Sequence, residues 1–460
     1  MRTIEARSDR SWFTNLEGYS AEGSRERREE MGDRKLAVLV GGGPAPGING
    51  VIGSVAIAAR ERGLEVVGFY DGFKWISSSS FDPMVHSTPL ETSQVSRIHL
   101  EGGSILRTAR DSLVSKGQID QNKVANVKKV IEELGIGYLV TIGGDDTAFS
   151  SSIVAREMKG ELLVAHVPKT IDNDLPLPGN MPTFGFQTAR DVATQIVRNL
   201  MEDAKTTGRW YIVVMMGRSA GHLALGVGKS AGAHLTIIPE EFGNRTVKVE
   251  EVCDIIESSM IKRKAKGRND GVAIVAEGVA LKFGDVEEIE KMLGRPIPRD
   301  PHGHVRLAEV PLGTLLKDEI TRRFEARGEK ITMVTEDVGY ELRCAPPLAF
   351  DMEYTRELGC GAVNYLLSPD YSLDMKKKGA MISILEGKLN PIPFPEIMDP
   401  QTGRTKVRTV DINSYSYQVA RSYMIRLEKK DLESEEMLTK LAKCANLSKE
   451  EFKARFSKIV

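Results

Sequence analysis

Short apolar runs that lead into glycine or polar residues recur along this chain and alternate with segments of helical periodicity. The runs are KLAVLV (35–40), LEVVGFY (64–70), YLVTIGG (138–144), LLVAHV (162–167), WYIVVMMG (210–217), LTIIPE (235–240) and VAIVAEG (272–278). Helical spacing of apolar residues occurs in VKKVIEELG (127–135) and VEEVCDIIESSM (249–260). This alternation is typical of parallel sheets that carry helices on both faces. We therefore expect an α/β protein with two doubly wound, Rossmann-like domains, mostly parallel sheets and a ligand cleft between the domains.

The composition of the chain limits the classes of protein that fit this fold. With 460 residues, of which 41% are apolar and 28% charged, the chain can form two domains with buried cores. Its formal net charge of -1 gives no basic field that would attract nucleic acid or an anionic membrane. The four cysteines form no CxxC pair, and the charged N-terminus lacks the apolar core of a signal peptide. We therefore expect a cytoplasmic protein with neither nucleic acid nor a membrane as its partner.

The first apolar run leads into a glycine cluster, GGGPAPGING (41–50), that precedes a helical pattern. Glycines at the start of a helix present bare backbone N–H groups and the positive end of the helix dipole, which suits a phosphate. The segment matches neither G-x-G-x-x-G nor the Walker pattern, because no lysine follows and two prolines stiffen the turn. A tight strand-to-helix turn without a ligand explains the same residues, so both interpretations stay open at this point.

A second glycine turn, in TIGGDDT (141–147), is followed by two acids, Asp145 and Asp146. An acid can stand beside a phosphate when a divalent cation lies between them, because Mg²⁺ accepts one or two carboxylates together with phosphate oxygens. Alternatively, Asp145, Asp146 or Thr147 could cap the helix that is expected to follow the turn.

The loop PKTIDND (168–174) places Lys169, Asp172 and Asp174 within six residues at the end of a predicted strand. A carboxylate in such a loop can take the proton of an attacking hydroxyl, while a lysine beside it holds the charge of a phosphoryl group. A solvated loop could have the same composition. The density of charge at the carboxyl end of a strand nevertheless favours phosphoryl-transfer chemistry.

Six motifs occur in the order that is found in one known family: GGGPAPGIN, GGSILRTAR, IGGDDT, PKTIDND, GFQTAR and MGR. From about residue 36 to about residue 400, the sequence resembles the phosphofructokinase family. The resemblance implies reversible phosphoryl transfer to the 1-hydroxyl of fructose 6-phosphate, a step of glycolysis and gluconeogenesis, in a cleft between two domains. A non-catalytic sugar-phosphate sensor could retain the fold, but the presence of Asp145, Lys169 and Asp172 favours an enzyme.

We expect the chain to divide into three parts. Residues 1–34 are expected to form a charged N-terminal extension. Residues 35–184 are expected to form a phosphoryl-donor domain to which 344–398 return. Residues 185–343, with part of 399–460, are expected to form a sugar-phosphate domain.

The resemblance also implies roles for individual residues. Asp172 matches the proton acceptor, with Lys169 beside it. Thr170 matches a contact to the sugar and the transferred phosphoryl, and Asp145 matches the ligand of Mg²⁺. The residues expected to bind the phosphoryl donor are Gly42, Gly43, Arg110, Asp146, Thr147 and Lys169. Those expected to bind the sugar phosphate are Thr170, Asp172, Asp174, Arg209, Met216, Gly217, Arg218, Glu277, Tyr340 and Arg343.

Some of these assignments have alternatives. On the residues alone, Arg218 could be a surface charge and Tyr340 a core side chain. Many shorter family members have a further phosphate-binding arginine at the position of Val334, so that contact is missing here or comes from elsewhere. The family arginine that matches Arg209 comes from a neighbouring subunit, and the same origin is open for Arg343. The resemblance therefore implies a homodimer or a homotetramer.

The residues at positions 146 and 169 bear on the identity of the donor. Family members that use ATP typically have glycine at position 146, whereas members that use inorganic pyrophosphate resemble Asp146 paired with Lys169. An anion about 4 Å from an α-phosphate is repelled by on the order of 4 kcal/mol at an effective dielectric of about 20. We expect Lys169 to compensate Asp146, pyrophosphate to be the donor and ATP to be the alternative. Sedoheptulose 7-phosphate stays open as a second acceptor.

Overall fold

Two mostly parallel sheets organise the computed structural model, which describes residues 34–115, 117–298, 309–401 and 404–460. The strands of the two sheets are β1 (Lys35–Val40), β2 (Val66–Phe69), β3 (Ser87–Pro89), β4 (Ile136–Gly143), β5 (Leu163–Pro168), β6 (Trp210–Met215), β7 (Leu235–Ile237), β8 (Gly271–Ala276), β9 (Met333–Val338), β10 (Ala380–Met381) and β11 (Ile392–Pro393). Two small hairpins pair Val114–Ser115 with Gln118–Ile119 and Ile384–Leu385 with Lys388–Leu389.

The larger sheet has seven strands in the order β11-β10-β5-β4-β1-β2-β3. Its inner pairs are parallel, and the edge strands β3 and β11 run antiparallel to their neighbours. The central strands β1 and β4 are almost entirely buried, as expected for strands that are covered on both faces. The second sheet has four strands in the order β9-β6-β8-β7 and is parallel throughout.

Helices cover both sheets. In the described residues, those of eight residues or more are α1 (Ile48–Glu61), α2 (Gln121–Glu133), α3 (Asp145–Glu157), α4 (Phe186–Thr207), α5 (His222–Ala231), α6 (Val249–Ala265), α7 (Val286–Leu293), α8 (Leu312–Ala326), α9 (Ala349–Leu367), α10 (Tyr415–Tyr423), α11 (Glu435–Cys444) and α12 (Lys449–Phe456). Shorter α-helical segments are Phe73–Ile76, Pro83–His86, Thr92–Val95, Leu373–Lys378, Phe394–Ile397 and Lys429–Glu433. Short 3₁₀ segments are Ile98–Leu100, Pro178–Asn180, Pro239–Phe242, Glu277–Lys282, Tyr340–Leu342 and Ser457–Ile459. Among the helices described here, none has the length and apolar character needed to cross a membrane.

The predicted α/β class with mostly parallel sheets is confirmed. The structure adds the strands β3, β9, β10 and β11, which the apolar runs did not indicate. Strand β9 lies at a sheet edge and exposes Glu336 and Asp337, so its sequence lacks an apolar run. The predicted N-terminal extension lies outside the described residues apart from Arg34.

Two separate parts of the chain contribute to the larger sheet and its helices. After β9, helix α9 packs on α1 beside the larger sheet, and β10 and β11 complete one edge of that sheet. Helices α10 to α12 then return to the second sheet, where Ala420, Leu438 and Phe452 join its hydrophobic core. The segment between β11 and α10 therefore passes from one sheet to the other.

A buried ion cluster ties α12 to the helices of the second sheet. Glu257 in α6 is fully buried and accepts hydrogen bonds from Arg323 at 3.1 Å, from Arg455 at 2.6 Å and from Arg327. Arg323 also donates to Asp254 at 2.8 Å. Because an ionised carboxylate is stable in the interior only when cations and hydrogen bonds compensate it, Glu257 links α6, α8 and α12.

Replacing Glu257 by alanine should destabilise the protein by about 3 to 5 kcal/mol, because buried arginines would lose their shared partner. The urea midpoint of unfolding measures the change. Glu132→Ala is the matched control, since its ion pair with Lys128 at 3.7 Å is on the surface and such pairs contribute about 1 kcal/mol or less. Equal midpoint shifts in the two variants would contradict this role of Glu257.

Candidate active site

Two glycine turns meet at the carboxyl ends of β1 and β4. A Cβ on Gly41 or Gly143 would lie 2.5 Å or 2.3 Å from side-chain atoms of Thr147. Gly42 has a φ of 83°, in the left-handed region that favours glycine. Its N–H donates to the carbonyl oxygen of Ala109 at 2.8 Å. Glycine at these positions therefore allows the helix that carries Thr147 to approach the first turn closely.

Helix α3 begins at Asp145, and its first turn contains Asp145 and Asp146. The N-cap residue is Gly144, and no side chain caps this helix end. The alternative in which Asp145, Asp146 or Thr147 caps the helix is therefore wrong. Because the positive end of the helix dipole favours negative charge, this turn stabilises both carboxylates while leaving them available for other contacts.

Asp146 lies among arginines. Desolvation raises the pKa of the Asp146 carboxyl, and the charge of Asp145 adds to the rise. The positive charges of Arg404, Arg218 and Arg110 act in the opposite direction. Arg110 and Arg218 were expected in the cleft from the sequence, whereas Arg404 was not. The structure therefore gives Asp146 its compensating charge from the arginines of three separate segments.

Lys169 is buried at the end of β5, between the two glycine turns. Its ammonium group donates a hydrogen bond to the carbonyl oxygen of Gly43, and its backbone N–H donates to that of Gly143 at 2.8 Å. Burial lowers the pKa of Lys169 to about 8, and the charge of Arg343 acts in the same direction. Lys169 thus fixes the relative position of the loops that follow β1 and β5.

The charges that favour the ammonium form of Lys169 come from acids in two loops. These acids are Asp172, Asp174 and Asp145. Asp146 is not among the charges that act most strongly on Lys169, and Lys169 is not among those that act most strongly on Asp146. The largest opposing charges at Asp146 are those of Arg404, Arg218 and Arg110, and the expectation that Lys169 compensates Asp146 stays a prediction.

Asp172 lies in the loop after β5. Its N–H donates to the hydroxyl oxygen of Thr170 at 3.0 Å, and the hydroxyl of Thr183 donates to the Thr170 carbonyl oxygen at 2.7 Å. The carboxylate atom Oδ1 of Asp172 is buried and has no hydrogen-bond partner among the described residues. Burial raises the pKa of Asp172 to about 7, and the charges of Asp174 and Glu277 act in the same direction. This carboxylate can therefore exchange a proton near neutral pH.

The second sheet supplies the opposite wall of the cleft. The N–H of Gly217 donates to a carboxylate oxygen of Glu277 at 3.4 Å. The side chain of Met216 packs against Gly339, where a Cβ would lie 2.6 Å from the methionine methyl group. Met216, Glu277, Gly339 and Tyr340 border a cavity of about 270 Å³. The turn after β6 and the segment after β9 therefore form one surface.

Arg343 connects the two walls. Its guanidinium carbon lies 4.8 Å from the centre of the Tyr340 ring, a cation–π distance. The same group is 3.2 Å from the position that a Cβ would take on Gly43. Arg343 therefore stands in the cleft of its own chain, between the tyrosine of one wall and the glycine turn of the other.

Arg209 lies away from this cleft. It precedes β6, whereas Met216 follows that six-residue strand, so the strand separates the two by roughly 20 Å. The Arg209 guanidinium is 3.8 Å from Asp203, and its Nε is buried without a hydrogen-bond partner among the described residues. The structure therefore does not bring Arg209 together with the other predicted residues within one chain.

The carboxylates of the cleft suit a hard divalent cation whose remaining ligands are water and phosphate oxygens. Within the described ranges, no group of three or more His, Cys, Asp and Glu side chains could hold a metal ion by itself. Burial raises the pKa of Asp174, and the nearby charge of Asp145 is the next cause. Two neighbouring carboxylates fit Mg²⁺, which uses one or two carboxylates and completes its shell with water and phosphate oxygens.

Three residues of the C-terminal part were missed by the sequence analysis: Arg404, Thr405 and Arg408. The hydroxyl of Thr405 donates to the carbonyl oxygen of Asp145 at 3.2 Å. Arg408 binds the loop that carries Asp172. The sequence TGRTKVR (402–408) has no phosphate-binding pattern that would have indicated them.

The chain belongs to the phosphofructokinase family, since the family model described as Phosphofructokinase matches residues 35–366. It is 57% identical to the pyrophosphate--fructose 6-phosphate 1-phosphotransferase of Thermotoga maritima over 422 residues, which cover 92% of this chain and 98% of that protein. It is 49% identical to the protein of the same name from Naegleria fowleri over 432 residues, which cover 92% of this chain and 95% of that protein.

A solved structure shares the fold. The pyrophosphate-dependent phosphofructokinase from Marinobacter aquaeolei matches with a TM-score of 0.61 and 17% sequence identity. The match covers 85% of this chain and 90% of that chain. The arrangement of both sheets is therefore that of a phosphofructokinase.

Alanine at position 143 should destabilise the protein by about 1 to 3 kcal/mol, as is usual for overpacked sites. The reason is that the new Cβ would lie 2.3 Å from Thr147, whose backbone is held in α3. Gly43→Ala is the matched control, because its Cβ meets the movable end of Arg343 at 3.2 Å. Thermal unfolding midpoints measure both changes, and an unchanged midpoint in Gly143→Ala would contradict the close packing of the two turns.

Proposed function

We propose that this protein transfers a phosphoryl group from inorganic pyrophosphate to the 1-hydroxyl of fructose 6-phosphate, giving fructose 1,6-bisphosphate and phosphate. The observation that carries the proposal is the buried, unpartnered carboxylate oxygen of Asp172 close to the ammonium group of Lys169. The names of two relatives that are 57% and 49% identical over most of the chain describe the same reaction.

In this proposal, Asp172 acts as the base. As the sugar oxygen O1 bonds to phosphorus, its proton passes to Asp172, and the bond from that phosphorus to the bridging oxygen of pyrophosphate breaks. The leaving phosphate takes the electron pair of the broken bond. The ammonium of Lys169 and the N–H groups of the glycine turns stabilise its charge, because they are already oriented before the reaction. A base with a pKa of about 7 can accept the proton in one direction and return it in the other.

Asp145 would hold Mg²⁺, with Asp174 nearby. When bound, the ion neutralises charge on the pyrophosphate oxygens. The dipole of α3 stabilises the Asp145 carboxylate. The hydroxyl of Thr405 donates a hydrogen bond that holds the Asp145 carbonyl oxygen.

The sugar phosphate is proposed to enter between the two walls. The guanidinium of Arg343 can pair with two phosphate oxygens at once, and Glu277 can accept hydrogen bonds from sugar hydroxyls. Met216, Gly217 and Arg218 would form the turn that holds the sugar. Arg209 could complete the site only from a neighbouring subunit, so we propose a homodimer or a homotetramer.

Asp146 is the residue that would select the donor. In this proposal the α-phosphate of a nucleotide would extend toward the Asp146 carboxylate, whereas pyrophosphate has no such group. Arg404, Arg218 and Arg110 supply the positive charge that keeps this acid in place. Specificity of this kind depends on an unfavourable contact with the rejected ligand as well as on favourable contacts with the accepted one.

One assay tests the reaction and its alternatives. Initial rates with fructose 6-phosphate are compared for pyrophosphate and ATP at equal Mg²⁺ concentration. We expect turnover with pyrophosphate. Turnover with ATP alone would assign the ATP-dependent reaction instead, and lack of turnover with either donor would favour a sugar-phosphate sensor.

The wild-type kcat/KM should rise as the pH increases through about 7, because the active base is the ionised form of Asp172 and burial raises its pKa to about that value. Asp172→Asn should lower kcat by about 10² to 10⁴-fold and remove this rise, since the amide cannot accept the proton. Asp191→Asn, at an exposed position of α4, is the control and should retain the wild-type profile. A persistent rise in Asp172→Asn would assign the titration to another group.

Asp146→Gly should increase turnover with ATP, because the change removes bulk and negative charge while the nearby arginines remain to bind nucleotide phosphates. Turnover with pyrophosphate should fall by about 10²-fold, because Arg404, Arg218 and Arg110 lose the acid that opposes their charge and a preorganised electrostatic arrangement is disturbed. Lys169→Ala should lower turnover with pyrophosphate without creating ATP activity, since Asp146 remains. The measurement is kcat/KM for both donors, and an Asp146→Gly enzyme that still rejects ATP would place the barrier elsewhere.

A further inference from the structure

A segment beyond the family match reaches the loop that carries the proposed base. The segment consists of residues 404–410 and is called the strap below. The Arg408 side chain donates hydrogen bonds to the carbonyl oxygen of Asn173 at 3.1 Å, to the side-chain oxygen of Asn173 and to the carbonyl oxygen of Met181 at 2.9 Å. The backbone N–H of Arg408 donates to the carbonyl oxygen of Asp174 at 2.7 Å.

The backbone at Asn173 has an unusual conformation that the Arg408 hydrogen bonds hold. Its φ of 57° lies in the left-handed region, which is uncommon for a residue with a side chain. The Asn173 side-chain oxygen accepts hydrogen bonds from the Thr183 N–H at 3.0 Å and from the Arg408 guanidinium. Because Asn173 directly follows Asp172, its conformation limits how the backbone that carries Asp172 can move.

The strap also contacts the wall formed by the second sheet. Nε2 of His222, at the start of α5, donates to the carbonyl oxygen of Arg408 at 3.2 Å. Burial lowers the pKa of His222 to about 4, so the ring is a neutral N–H donor at pH 7. One carboxylate oxygen of Glu240 accepts from the Val410 N–H at 2.9 Å and from the Gly221 N–H at 2.8 Å. The strap therefore joins the loop of one wall to the first residues of α5 in the other.

We propose that Arg408 is a positioning residue for phosphoryl transfer, which holds the backbone at Asn173 and Asp174 and thereby fixes Asp172 relative to the second sheet. The inference rests on the proposed function of the same cleft. A planar guanidinium has five N–H donors in a fixed arrangement, so it can bind two carbonyl oxygens and an amide oxygen together. Loss of Arg408 releases the loop without removing a group that contacts the substrate.

The test compares Arg408→Ala with the wild type in steady-state assays with fructose 6-phosphate, pyrophosphate and Mg²⁺. We expect kcat to fall by about 10²-fold, because a displacement of about 1 Å at a reacting group has an effect of that size. The KM values should change by less than about threefold, since Arg408 binds neither substrate. Added guanidinium chloride at low concentration should restore part of the lost kcat in Arg408→Ala and should not raise kcat in the wild type.

Arg408→Lys separates positioning from folding, because lysine keeps the charge but lacks the planar set of donors. We expect a kcat between those of the wild type and Arg408→Ala, with a wild-type thermal unfolding midpoint. Lys406→Ala is the matched control in the strap. The exposed Lys406 ammonium donates to the carbonyl oxygen of Glu396 at 3.1 Å, so this variant should retain the wild-type kcat.

Wild-type kcat in both Arg408 variants would overturn the proposal. The proposal would also be overturned if kcat fell in proportion to the amount of folded protein and added guanidinium did not restore it. Lack of turnover in the wild type would instead refute the proposed function. A failure of the proposed function is therefore distinguishable from a failure of the role proposed for Arg408, which concerns the variants alone.

Discussion

The contact between the buried ammonium of Lys169 and the carbonyl oxygen of Gly43 is the interaction on which the cleft depends. It joins the loop after β5 to the glycine turn after β1, and the backbone N–H of Lys169 joins the same loop to the turn after β4 at Gly143. A buried ammonium is stable only with hydrogen bonds and nearby carboxylates. The position of Lys169 therefore requires the acids of the loop, and Asp172 is placed beside it as a consequence.

The cleft holds a high density of charge without a metal cluster built from protein side chains alone in the part of the chain that is described. The cations that act most strongly on two of its acids are different. Lys169 and Arg343 act on Asp172, whereas the arginines at 404, 218 and 110 act on Asp146. The strongest opposing charges at the proposed base therefore come from other residues than those at the residue proposed to select the donor.

The strap extends this arrangement beyond the segment that the family model matches. Arg408 binds the loop of the proposed base, while its carbonyl oxygen accepts from His222 of the second sheet's wall. The helices that follow the strap are anchored in the core of the second sheet and by the ion cluster around Glu257. The C-terminal part of the chain thus connects the stability of the second sheet to the geometry of the cleft.

The sequence by itself determined the fold class and most members of the cleft, because both depend on residues that are close to one another in the sequence. Buried parallel strands require apolar runs, and the residues that follow such strands gather at one edge of the sheet. The tertiary structure alone decided that Arg404 joins Arg110 and Arg218 near Asp146, that Arg209 lies outside the cleft of its own chain, and that Arg408 holds the loop. These contacts join residues that are far apart in sequence. Charges act through space, so their partners follow from the folded arrangement and leave no local pattern in the sequence.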